Sequence, residues 1–234
     1  MSTRIVDIPP QFAARWAGAL YLAIIVGGLF AEAFVRGALI VPGDPAATAA
    51  NILQNEGLYR LGFTVHLAYL ACAVVVSVIL YDLLRRVGPG LALLALCLNL
   101  VGIAVEASSL LQLLAPLRVL GDPALAVLPA AHVQAMAYAS ARLFANGFGI
   151  GLVFFGGFCI AIGTLIARGR FLPRLLGLLM VLAGVCYIVN SLAGFLSPAL
   201  GARLFPWILL PCLVAELSLA LWLLVKGVDT RHLA

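Results

Sequence analysis

Charge is what this sequence has least of. Asp, Glu, Lys and Arg make up 10% of its 234 residues, against 65% hydrophobic residues. Soluble domains usually carry about a quarter charged residues, so a water-soluble fold is excluded at the outset. Lysine is nearly missing: Lys226 stands alone against thirteen arginines, a usage that fits a GC-rich bacterial genome. Strand-type alternation, low-complexity tracts and linkers long enough to hold a soluble domain are also absent, which points to one all-helical domain. The sequence has no C-x-x-C, no H-E-x-x-H, no paired His and no G-x-S-x-G, so the common zinc, redox and hydrolase signatures are lacking. Cys72, Cys97, Cys159, Cys186 and Cys212 all lie inside apolar runs and read as small packing residues.

What is present is a series of long apolar runs, with a mean hydropathy of +1.17 over the chain. Six of them, roughly Ala14–Val35, Leu61–Leu84, Gly90–Ala115, Arg142–Ala167, Pro173–Leu196 and Leu204–Lys226, are long enough as helices to cross about 30 Å of hydrocarbon. The expected fold is an all-α, six-helix integral membrane bundle spanning residues 1–234 as a single domain. Arg4, Arg15 and the Ala31-Glu32-Ala33 tripeptide give the first run some features of a signal peptide. Its length favours a retained helix.

Arginine placement sets the expected orientation. Arg4, Arg15, Arg85, Arg86, Arg168, Arg170, Arg174, Lys226 and Arg231 fall on one side of the bundle, and Arg36, Arg60, Arg118, Arg142 and Arg203 on the other. Nine against five predicts both termini in the cytoplasm of a bacterial inner membrane. The net charge of +5 is accounted for by this bias. No polar basic face exists for nucleic acid, so the lipid bilayer is the expected partner.

The segment between the first two runs, Leu39–Gly62, differs from its surroundings. It holds Pro42-Gly43-Asp44-Pro45, the charged Glu56 and Arg60, and the amides of Asn51, Gln54 and Asn55. Asp44 before Pro45 is an N-cap followed by Pro at the first helical position, and the Ala-rich run after it favours helix. The spacing predicts a short interfacial helix at Pro45–Gln54, ending near Gly57, on the extracytoplasmic side. Asp44, Thr48, Asn51 and Asn55 share one face, and Ala46, Ala49, Ala50 and Leu53 the other. The helix is either a capped connector or a lid, with Asp44, Thr48 and Asn51 as its gating residues.

Here a resemblance enters. Arg15-Trp16-Ala17-Gly18-Ala19-Leu20-Tyr21-Leu22, Ala31-Glu32-Ala33-Phe34-Val35-Arg36-Gly37, Pro42-Gly43-Asp44, Thr48-Ala49-Ala50-Asn51-Ile52, Arg60-Leu61-Gly62 and Leu80-Tyr81 resemble the bacterial membrane family called domain of unknown function 4386. The match is specific over about the first third of the chain and mostly hydropathic afterwards. It implies a small polytopic bacterial membrane protein and supplies no activity, catalytic residue or cofactor.

The informative residues are polar ones inside apolar runs. An Asp, Lys or Arg at mid-membrane costs roughly 2.5–3.5 kcal/mol on insertion scales, and Glu should behave similarly. Such residues face the bundle interior and pair. They are Glu32, His66, Glu106 and Glu216, with Asn99, Gln112, Asn146 and Asn190, and with Arg142 at a helix end. On the expected topology nearly all lie in the outer half, Glu216 near the middle and Asn99 slightly inward. Asn99, Gly102, Glu106 and Ser109 form one stripe; Arg142, Asn146, Gly149 and Gly156 form another; Gly177, Gly184, Tyr187, Asn190, Ser191 and Gly194 form a third. Close helix packing explains the glycines, and Gly147-x-x-x-Gly151 adds another such point. Pro211, one turn before Glu216, predicts a kink in the last helix.

Together these features predict a polar pocket open to the outer face, lined by Glu32, His66, Glu106, Arg142, Asn146, Asn190 and Glu216. Glu32 and Arg36 stand at i,i+4 in the order that favours an ion pair, and Arg142 is the expected partner of Glu106 or Glu216. The leading functional expectation is binding or transport of a small polar or lipid-like molecule. Aligning Pro89 with Pro173 sets Glu106 over Asn190, a hint of the internal repeat that transporters show, with a homo-oligomer then needed. The alternatives are a structural or accessory subunit of a larger membrane complex, and a membrane enzyme with a metal at His66, Glu106 and Glu216. No cofactor is predicted, and the balance is against an enzyme.

Overall fold

The computed structural model describes residues 9–229. Arg4 and Arg231, both counted in the charge bias, lie outside the described residues. The chain forms helices and no strands among the described residues. We label them α1 Pro10–Leu39, α2 Pro45–Gln54, α3 Glu56–Leu84, α4 Pro89–Leu120, α5 Ala130–Arg168, α6 Arg174–Leu196, α7 Pro198–Leu204 and α8 Leu210–Val225. Six are long and apolar enough to cross a membrane: α1, α3, α4, α5, α6, and α8 with the 3-10 turn at Trp207–Leu209 before it. The protein is therefore a multi-pass membrane protein.

Helix α1 is not uniform. Phe30–Arg36 is a π-helical turn, in which the Gly37 amide bonds the Glu32 carbonyl five residues back. Single π turns inside α-helices are rare and gather at functional sites. Helix α2 forms as expected: Asp44 Oδ1 accepts the Ala47 amide at 2.9 Å and Pro45 occupies the first turn. Two details differ. The buried residues are Thr48, Ala49 and Ile52, while Leu53 is exposed, because Thr48 turns inward to bond the preceding loop. Its Oγ1 accepts the Val41 amide at 2.9 Å and donates to the Val41 carbonyl. The helix stops at Asn55 rather than Gly57, which lies inside α3.

Two other expectations give way. Helix α5 begins at Ala130 instead of Arg142. The intervening Ala-rich stretch is a good helix former, even though it is too polar to register as apolar. Pro211 does not kink a continuous helix: it sits in the first turn of α8, where a missing N–H costs nothing. The Trp207 carbonyl, which a kink would have freed, accepts the Leu210 amide.

The described chain divides into two compact units. The smaller comprises Val26–Leu70 and Val105–Phe148. Tyr59, Ile52 and Phe144 are among its fully buried side chains. Tyr59 donates its hydroxyl to the Leu113 carbonyl at 2.8 Å, and the Gly43 amide donates to Tyr138 Oη at 2.8 Å, tying the loop before α2 to α5. The larger unit holds the rest, including all of α6 and α8. Its core includes Ala14, Leu80, Ile162, Met180, Leu219 and Leu223. There α5 and α6 cross at backbone contact: a Cβ on Gly177 would lie 2.5 Å from the Gly163 carbonyl oxygen, and one on Gly163 would lie 2.6 Å from that of Gly177. No side chain fits at this crossing, which is the packing role expected of small residues in lipid. Cys159 and Cys212 are buried in the same unit, but Cys97 is exposed.

Candidate functional site

In the smaller unit the site is built by α1, α3, α4 and α5. Helix α3 carries His66 and Tyr69, three residues apart and so on one face. Helix α4 brings Glu106 against them. His66 Nε2 lies 2.7 Å from Glu106 Oε1, and Tyr69 Oη donates to the same oxygen at 2.5 Å. Tyr69 Oη is also 2.5 Å from His66 Nε2. Three polar atoms from two helices thus form a closed triangle. The side chain of His66 is 3% exposed and that of Glu106 is 14% exposed. Phe144 and Phe148 of α5 stand edge-on to the imidazole, with centroids 5.4 and 6.4 Å away.

The triangle assigns donors. Glu106 Oε1 accepts from both neighbours, so Nε2 carries a hydrogen, as imidazole tautomer or imidazolium. That leaves Nδ1, which is buried and has no hydrogen-bond partner among the described residues. A buried polar atom without a partner is uncommon and calls for an explanation. Beside the triangle, Arg36 pairs with Glu32 at 2.6 Å from within the π turn. The Arg36 guanidinium also lies over the Phe144 ring, 4.8 Å from its centroid, a cation–π contact. The Glu32 carboxylate is half-exposed at 44%, so the pair runs from the surface of the unit to the ring that flanks His66.

The larger unit holds a second buried carboxylate. Glu216 of α8 is 7% exposed, and Tyr187 of α6 donates to its Oε1 at 2.5 Å. Tyr21 of α1 is buried near the same carboxylate, yet its hydroxyl has no partner at hydrogen-bond geometry among the described residues. In the same unit, Asn99 Nδ2 donates to Ser77 Oγ at 2.6 Å, and both residues are buried.

The predicted site residues therefore separate. Glu32, His66 and Glu106 gather in the smaller unit. Glu106 takes His66 and Tyr69 as its partners, not Arg142, which is exposed on α5 beside the Tyr138 hydroxyl. Asn146 is exposed as well, and Asn190 is half-buried on α6. Glu216 belongs to the larger unit with its own tyrosines. Among the suggested gating residues, Asp44 caps α2, Thr48 holds Val41, and Asn51 donates to the Leu39 carbonyl at 3.3 Å. Among the described residues, no three His, Cys, Asp or Glu side chains are placed to share a metal ion.

Sequence reasoning misses Tyr69 and Tyr21, and finds Tyr187 only as part of a stripe. The His66–Tyr69 spacing is the available signal. Tyr21 carries none, because a tyrosine in an apolar run reads as packing.

No curated protein and no solved structure matches the chain. The model of a protein family described as Domain of unknown function (DUF4386) matches residues 16–227, which is nearly the whole chain, and the protein belongs to that family.

Proposed function

We propose that this protein binds, and carries within or across the membrane, a small polar or lipid-like molecule, with the His66–Tyr69–Glu106 triangle as the point of contact. One observation carries the reading: His66 Nδ1 is buried and unpartnered among the described residues while the other side of the same ring is held by a carboxylate and a phenol. A hydroxyl or amide group of a ligand, able to donate or accept, is the natural partner for that nitrogen, since leaving it unmet costs roughly 1–3 kcal/mol. The membrane would be a bacterial inner membrane with both termini cytoplasmic, as the arginine bias indicates. The outward-facing half would then carry the triangle, the Glu32–Arg36 pair and α2.

The test is native mass spectrometry of the full chain purified in mild detergent. A bound lipid or small molecule should accompany the wild type and be lost from a His66→Phe variant that keeps its helical content. Identical spectra for the two proteins sink the proposal. The accessory-subunit reading would then lead. It is favoured by the finding that Glu106 and Glu216 each find a tyrosine hydroxyl within their own unit, so that these polar groups satisfy one another. Stable co-purification of a second membrane protein would support it.

A further inference from the structure

At one end of the larger unit, two segments that leave membrane-spanning helices close a cleft. The α5–α6 turn contributes Arg170 and Phe171, and the end of α8 with its continuation contributes Trp222, Lys226, Val228 and Asp229. Its volume is about 370 Å³, within the range of small-ligand sites. We infer that this cleft binds the phosphate-bearing headgroup of an anionic phospholipid.

The cleft is built rather than incidental. The Asp229 amide donates to the Phe171 carbonyl at 3.0 Å, which ties the segment after α8 to the α5–α6 turn. Gln11, at the start of α1, clasps the same segment from the other side. Its Nε2 donates to the Lys226 carbonyl at 2.8 Å and its Oε1 accepts the Val228 amide at 2.9 Å. Gly227 takes φ +68°, and a Cβ there would strike the Gln11 amide. Phe171 and Val228 are buried and fix the walls.

Chemistry and position select the occupant. Among the described residues of the lining, Arg170 and Lys226 are exposed and Asp229 is the single acid, so that part of the lining is net cationic. Arg168 and Arg174 flank the turn and are exposed too. Helix α5 ends at Arg168 and α8 at Val225, so the cleft opens where membrane spans end. Trp222, 37% exposed, gives an amphipathic wall of the kind that settles at headgroup level. A basic pocket between spanning helices at that level suits an anionic lipid. Free phosphate shares the anionic chemistry but makes no use of the apolar walls. The inference is independent of the His66 cluster.

The experiment titrates delipidated full-length protein with phosphatidylglycerol or phosphatidylcholine and counts bound lipid by native mass spectrometry. Phosphatidylglycerol should bind in preference, weaken with salt, and withstand excess inorganic phosphate. Arg170→Gln with Lys226→Gln should reduce that binding by about tenfold or more, whereas Arg60→Gln with Arg118→Gln should leave it unchanged. Equal binding of the two lipids, salt-independent binding, full displacement by inorganic phosphate, or equal losses in the two double variants would each overturn the assignment. The lipid preference and its salt dependence are read on the wild type, so the test stands even if the Arg170/Lys226 variant misfolds.

Discussion

Tyr187 of α6 donates its hydroxyl hydrogen to Oε1 of Glu216 on α8 at 2.5 Å. Neither partner is near the other in sequence, and both lie in helices apolar enough to span a membrane. The bond explains how a carboxylate is tolerated there: the donor substitutes for water, and burial of a polar group is costly only when such a partner is missing. Tyr187 is itself held by Phe155, edge-on at 5.3 Å between centroids.

Removing that hydroxyl should therefore be felt. Tyr187→Phe is expected to destabilise the protein by roughly 1–3 kcal/mol. Tyr187→Phe combined with Glu216→Gln should be less unstable than the two losses added together. Unfolding in detergent micelles, arranged as a double-mutant cycle, measures the coupling; strict additivity would refute the bond's contribution.

For the smaller unit the coupled partner of Glu106 should be His66. Glu106→Leu leaves the His66 Nε2–H and the Tyr69 hydroxyl without their shared acceptor, at a cost of about 1–3 kcal/mol. His66→Phe together with Glu106→Leu should recover part of this. Arg142→Ala should instead add independently to Glu106→Leu, since Arg142 is exposed on α5. A cycle showing Arg142 coupled as strongly as His66 would reject the triangle as the organising contact.

The Asp44 cap offers a local test. Asp44→Ala should lower the stability of α2 by about 0.5–2 kcal/mol. Hydrogen exchange at the Ala47 amide, which Asp44 Oδ1 accepts, should quicken while the amides of α6 keep their rates. Unchanged exchange at Ala47 would remove the cap from the account.

Orientation can be read by labelling. Gln54→Cys, at an exposed end of α2, should react with a membrane-impermeant maleimide in intact cells, and Arg86→Cys should react only after lysis, both in a background lacking Cys97. The reverse pattern would invert the proposed topology and move the basic turns outside.

Much of the fold is legible because crossing a membrane demands about twenty consecutive apolar residues, a signal that survives without any knowledge of packing. The capped α2 is legible because Asp44 and Pro45 act locally. The partners are not. Helices apolar on every side carry little periodicity to say which face meets which neighbour, so Arg142 looks as good a partner for Glu106 as His66. Tyrosine compounds the difficulty, since Tyr69 and Tyr187 read as part of apolar runs while offering a hydroxyl to a buried acid. Pro211 misleads for a related reason: its effect depends on whether a helix has already begun, and the 3-10 turn at Trp207–Leu209 leaves no apolar signature.

The π turn at Phe30–Arg36 bears on which changes in chain length this protein can accept. A π turn holds one more residue than the α turn it replaces. Deleting a single residue there would let the wide turn close into ordinary helix and leave the flanking faces in place, whereas a deletion in regular helix turns the residues after it by about 100° against those before it. The faces on both sides are committed: Tyr21 and Ala17 are buried before the turn, Val35 and Leu39 within and after it, and Leu39 leads at once into the loop that Thr48 and Asn51 hold. Ala33 and Phe34, by contrast, are exposed. A one-residue deletion at Ala33 or Phe34 should therefore be tolerated better than one between Tyr21 and Leu29, where the helix is regular.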